Sequence, residues 1–150
     1  MLTGRQLIGL SIRDKASGEK IGRICDIYGN MTNGQILGYG VAIEKLFSKT
    51  MLLPASAVES IGINGMIADA AALKPLRTKY ETVLAYRGSM LYSALGRELG
   101  VVSDVILGDG RIAALEISGG LLADVVGRRT LVSWNSVQAD DNGGFIRNQV

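Results

Sequence analysis

The chain has 150 residues, with 20 glycines, two prolines, one cysteine and a formal net charge of +2. This apolar, moderately charged composition excludes a disordered chain. The near-neutral balance argues against nucleic acid as the partner, since binders of that class carry a basic stripe. Nine Lys and Arg stand against six Asp and Glu in residues 1–78, and seven against eight in residues 79–150. A single cysteine forbids an intrachain disulfide and fits a reducing compartment. No secretory signal is visible after Met1-Leu2-Thr3-Gly4-Arg5-Gln6. No apolar run reaches the roughly 18 residues that span a bilayer. The expectation is a cytoplasmic chain without an integral membrane segment.

In chain order, residues 5–12 predict a first strand, with Leu7, Leu10 and Ile12 as its apolar side chains. A polar loop closed by Gly18 leads to a strand from about Lys20 to Tyr28, where glycines and β-branched residues outweigh a helical spacing of isoleucines. Asn30-Met31-Thr32-Asn33-Gly34 predicts a turn, and Gln35 to Ile43 a returning strand. Gly38 and Gly40 inside that strand mark bulges or tight bends. After a charged connection over residues 44–50, Met51–Leu53 reads as a short buried strand. Pro54 then opens one helical turn, where its missing N–H costs nothing. Residues 61–67 close the unit as a small hairpin. Residues 68–82 read as a connector with one or two helical turns, because Pro75 penalises helix at Lys74. A second unit begins near Val83, and its clearest hairpin is Leu99–Leu107, Gly108-Asp109-Gly110, Arg111–Ile117.

The second unit repeats the first. Ile21-Gly22-Arg23-Ile24-Cys25-Asp26-Ile27 returns as Leu99-Gly100-Val101-Val102-Ser103-Asp104-Val105, at a spacing of 78 residues. Leu52-Leu53-Pro54 answers to Leu131-Val132-Ser133, and Gly65-Met66-Ile67 to Gly144-Phe145-Ile146, at a spacing of 79. The spacing drops to 76 between Ile36 and Ile112, so the insertions fall in turns while the strands keep register. A repeat of this kind sets the architecture. Ser133 replaces Pro54, and its hydroxyl is expected to cap the same helical turn. The fold class is all-β: two tandem small β-barrels with short helical turns, about six strands each, whose closure removes exposed edges. The division is a first repeat over 1–67, a connector over 68–82 and a second repeat over 83–150.

A glycine-started loop, Ile/Leu-Gly-x-Val/Ile-x-Asp-Val/Ile, a turn, a glycine-bearing apolar strand and Leu-Leu-Pro-x-x-x-Val together resemble the PRC-barrel family. Residues 18–67 carry the pattern almost whole; residues 96–146 depart from it at Ser133. The resemblance implies small β-barrels that serve as interaction modules. Such modules occur in a ribosome-maturation factor that docks on a ribosomal protein, in the cytoplasmic part of the photosynthetic reaction-centre H subunit, and in free-standing bacterial and archaeal proteins. The maturation factor's extra N-terminal barrel and the H subunit's membrane helix have no counterpart in this sequence. It looks most like a free-standing tandem member.

Catalytic chemistry is scarce. There is no histidine, which removes Ser-His and Cys-His catalysis and the commonest metal ligand. Cys25 lacks a second cysteine for zinc and reads as a small half-buried strand residue. Asp26 and Asp104 recur at one place, read as turn-capping carboxylates rather than symmetric acid sites. Asp140-Asp141-Asn142-Gly143 lacks the spacing and final glutamate of a calcium loop. Gly38-Tyr39-Gly40 lacks the third glycine of a dinucleotide site. No cofactor, metal or enzymatic activity is expected.

The interaction residues are expected in loops. Leu121, Leu122, Val125 and Val126 lie in a glycine-bounded segment rimmed by Arg128 and Arg129, and Leu46 and Phe47 are its counterpart in the first repeat. These aliphatics either fold onto their own barrel, fill the interface between repeats, or meet another chain. The expected function is a non-catalytic interaction module or adaptor that binds another protein or a second copy of itself. The alternative is a small-ligand, metal or RNA-binding protein associated with the ribosome or RNA processing.

Overall fold

The computed structural model describes residues 1–43, 49–119, 130–140 and 143–148. The chain opens on β1 (Leu2–Thr3) and one α-helical turn, α1 (Gly4–Leu7). The strand expected over residues 5–12 therefore starts later, because Thr3 and Gln6 form a capping box. Thr3 Oγ1 accepts the Gln6 N–H at 3.1 Å, and Gln6 Oε1 accepts the Thr3 N–H at 2.9 Å.

Among the described residues six strands make the first lobe: β2 (Ser11–Asp14), β3 (Lys20–Asn30), β4 (Gln35–Ile43), β5 (Lys49–Pro54), β6 (Val58–Gly62) and β7 (Gly65–Ala68). They pair in the order β6-β7-β2-β3-β4-β5, antiparallel throughout except for parallel β2–β7. β8 (Lys74–Pro75), in the connector, adds to the outer side of β5. The second lobe contains β9 (Met90–Tyr92), β10 (Glu98–Gly108), β11 (Arg111–Ser118), β12 (Thr130–Ser133), β13 (Val137–Ala139) and β14 (Phe145–Arg147). Its order, β13-β14-β9-β10-β11-β12, and its one parallel pair, β9–β14, reproduce the first.

The repeat extends to irregularities. β3 shifts register between Ile24 and Asp26 and again between Tyr28 and Gly29; β10 does so between Val102 and Asp104 and between Ile106 and Leu107. Bulges bend a strand and tighten its twist, which lets an eleven-residue strand wrap a small core. The hairpin turns differ in chemistry. Asn30 Oδ1 accepts the N–H groups of Thr32 and Asn33 in the first lobe. Asp109 and Gly110, both at positive φ, make the two-residue turn of the second.

In each lobe the two ends of the path are joined by a 3-10 turn, Ala55–Ala57 or Trp134–Ser136. The lobe thus curls back on itself through the chain rather than through a closing ladder. The all-β class with short helical turns is as expected. Closure does not remove the edges: β6 and β13 end the pairing path among the described residues. Ser133 makes no side-chain cap; instead Ser136 Oγ donates to the Ser133 carbonyl at 2.7 Å.

The lobes form one sheet through the pair Gln35 and Arg111. Each also lends its leading segment to the other. β1 pairs with β10, Thr3 opposite Ile106, while Thr82 bridges to Tyr28 of β3. Behind them α1 packs on β10, and the 3-10 turn Val83–Tyr86 packs on β3. One hydrophobic cluster runs through both lobes, with Ile12, Ile27 and Leu53 in the first and Leu91, Val105 and Phe145 in the second. Burial of this shared core is the main force holding the lobes together.

Candidate interaction surfaces

The parallel pair of each lobe floors a groove. In the first lobe it measures about 620 Å³ and runs along the β6–β7 hairpin beside Ser11 and Arg13. Ile61, Ile63 and Ile67 line it and remain 38%, 64% and 41% exposed. The hairpin turns at Ile63-Asn64, so the most exposed of the three stands at its tip, beyond the last paired residues Gly62 and Gly65. The second groove, about 750 Å³, lies at the equivalent place between β9 and the start of β14. Its lining is more polar, with Arg87, Ser89, Tyr92 and Asp140. Gly144 must be glycine there, because a Cβ would sit 2.8 Å from the Met90 carbonyl oxygen.

The charged groups cluster where the first helix meets the second lobe. Asp104 is fully buried at the β10 bulge, one Oδ accepting the Val105 N–H at 2.8 Å. Its other oxygen accepts the Arg5 N–H at 3.1 Å and faces Arg5 Nε at 3.3 Å. Arg5 Nη2 also donates to Glu116 Oε1 at 3.0 Å, and Ser103 Oγ lies 2.8 Å from the same oxygen. A buried carboxylate is tolerable only with such partners. The cluster binds the capping-box turn to β10 and thereby holds the exchanged segment in place.

The first-lobe counterpart is different. Asp26 is half-buried, its Oδ1 accepting the Ile27 N–H at 2.8 Å, and Gly40 stands where Glu116 does in the second lobe. Neither aspartate caps a turn: both sit in strands at a bulge, where the backbone leaves an N–H for the carboxylate to accept. Cys25 is exposed rather than half-buried, because it follows buried Ile24 in the strand and so points to the opposite face. Its thiol lies 4.0 Å from Thr50 Oγ1, and partial burial of the sulfur pushes its pKa above 9.0. Asp14 moves the other way. The N–H of Ala70, then that of Ser17, hold its carboxyl below 3.8 and fasten the connector to β2.

The loop residues expected to bind a partner, Leu46, Phe47, Leu121, Leu122, Val125, Val126, Arg128 and Arg129, lie outside the described residues. The grooves escape the sequence because they form between strands distant in the chain. One signal was present: Asn64-Gly65 announces the hairpin whose tip carries Ile63. Among the described residues no group of three or more His, Cys, Asp or Glu is placed to hold a metal. Among them, too, no helix is long and apolar enough to cross a membrane.

Comparison with known proteins agrees with the topology. The family model of the PRC-barrel domain matches the chain twice, over residues 1–73 and 85–148. No curated protein matches it.

Proposed function

The chain belongs to the PRC-barrel family, with two copies of the domain, and from that premise we propose that it is a non-catalytic protein-interaction module or adaptor. PRC-barrel domains are compatible with such a role. The observation that carries the reading is the exposure of Ile61 and Ile63 on and beside β6, which ends the pairing path among the described residues, with Ile67 exposed next to them on β7. An exposed strand edge with apolar side chains is a template for another chain, and native proteins usually blunt it. The apolar loop residues named above belong to the same proposal on sequence grounds. So does the division into repeats at 1–67 and 83–150 around a 68–82 connector. A cytoplasmic location goes with it, resting on the lone cysteine.

Affinity purification of the full chain from its native organism, read by mass spectrometry, tests the reading. A partner enriched by the wild type and lost with Ile63→Glu is the expected result. Enrichment of nothing beyond the control, or capture indifferent to Ile63→Glu and to Leu122→Glu with Val126→Glu, overturns it.

A further inference from the structure

The two lobes match strand for strand, yet one of two equivalent sites is filled and the other is open. In the second lobe Trp134 begins the 3-10 turn after β12 and is only 7% exposed. Its ring meets Phe145 edge-on at 5.8 Å and packs on Gly34 of the first-lobe hairpin turn. Gly34 has φ +76° and leaves the ring room by having no side chain.

Seventy-nine residues earlier, Ala55 begins the equivalent 3-10 turn after β5. The glycine that would face it is Gly110, at φ +72°, and among the described residues nothing lies within 4 Å of the position its Cβ would take. A cavity of about 450 Å³ occupies the site, lined by Ala55, Val58, Tyr39, Leu107 and Gly110. That is within the roughly 300–1,000 Å³ of ligand sites. Gly110 is the repeat counterpart of Gly34, on which Trp134 packs, and Val58 that of Val137, which is buried in the same core cluster as Trp134. Met1 lines the cavity but does not fill it, being 90% exposed. Ser60 and Ile61 line both this cavity and the first-lobe groove, so the two adjoin along β6.

We propose that the cavity between Ala55 and Gly110 receives an aromatic side chain, of tryptophan size, from a partner protein lying along β6. The occupant is read from the molecule itself: the same turn and glycine hold an indole in the sister lobe. The proposal rests on the interaction-module reading and adds to it the chemistry of the anchor. Buried aromatic anchors in preformed pockets dominate protein interfaces, because a large rigid ring buries much area at low entropic cost.

The test is a titration of N-acetyl-tryptophanamide into the full chain, followed by amide NMR. Saturable shifts at Ala55, Val58 and Leu107–Gly110 are expected, with at least tenfold weaker binding in Ala55→Trp, whose own ring takes the site. Ala55→Met, a milder filler, serves should the tryptophan variant fail to fold, and the same loss is expected. No shift at the solubility limit of the probe, shifts elsewhere, or binding unchanged by the fillers overturns the site. A partner captured equally by wild type and Ala55→Trp overturns the site while leaving the module reading standing. Saturable probe binding with no captured partner keeps the aromatic site and removes the module reading.

Discussion

Ile36 and Ile112 clasp the two lobes by a reciprocal exchange. Ile36 donates its N–H to the Gly110 carbonyl at 3.0 Å, and Ile112 donates to the Gly34 carbonyl at 2.7 Å. Both residue pairs stand 76 apart, so the two bonds are one contact repeated, as at an isologous twofold interface. Both isoleucines are buried, at 3% each, which shields these bonds from water. The neighbouring glycines are alike in backbone and unlike in surroundings.

That contrast yields the first prediction. Gly34→Ala forces a methyl group into the Trp134 indole at a left-handed backbone position. It should cost about 2–4 kcal/mol, from overpacking together with the αL penalty. Gly110→Ala meets only the backbone penalty, about 1–2 kcal/mol. Urea unfolding of both variants measures the difference; equal losses would show that Trp134 does not press on Gly34.

Removing Arg5 leaves Asp104 buried with two backbone donors and no counter-charge. Arg5→Ala should destabilise by about 1–3 kcal/mol, less than a fully enclosed pair would lose because the arginine is 46% exposed. Adding Asp104→Asn should recover part of the loss, since the uncompensated charge is then gone. A double-mutant cycle in urea gives the coupling energy. Additive losses would mean the pair is not coupled.

Asp14 has a pKa held below 3.8 by the Ala70 N–H and then by Ser17. A carboxylate with a depressed folded pKa stabilises above its unfolded value, and loses that contribution as pH falls through the folded value. The melting temperature of wild type should therefore exceed that of Asp14→Asn at neutral pH. The gap should narrow once pH drops below 3.8. A gap constant down to acid denaturation would contradict the assignment.

Cys25 is exposed, yet its pKa lies above 9.0 because the sulfur is partly desolvated. Its alkylation by iodoacetamide should be slower at pH 8 than that of an unhindered cysteine, and should still be rising at pH 9. Cys25→Ser should shift stability by no more than about 0.5 kcal/mol, as exposed substitutions do. A plateau of the rate below pH 8 would show an activated thiolate.

Much of the fold was legible along the chain. The repeat spacings, the Asn33-Gly34 and Asp109-Gly110 turns and the strand from Gln35 to Ile43 are local signals, carried by neighbours in sequence. The first helix was legible in principle, since Thr3 and Gln6 stand at capping-box spacing, but Leu7, Leu10 and Ile12 read more strongly as strand. The candidate surfaces were less visible. Ile63 is an apolar residue before Asn-Gly like many others until the hairpin is seen to end the sheet.

The sequence by itself determined that two all-β units of one pattern lie in tandem, because strand, turn and glycine preferences act over a few residues and recur at 78 or 79. Only the tertiary structure decided what the units do to each other. Arg5 reaches Asp104 and Glu116 across 99 and 111 positions of chain. Trp134 seals Gly34 while Ala55 leaves Gly110 open. Such pairings depend on how the lobes exchange their leading segments and meet at Ile36 and Ile112. Free energy gained between residues so distant leaves no periodicity in the chain to read.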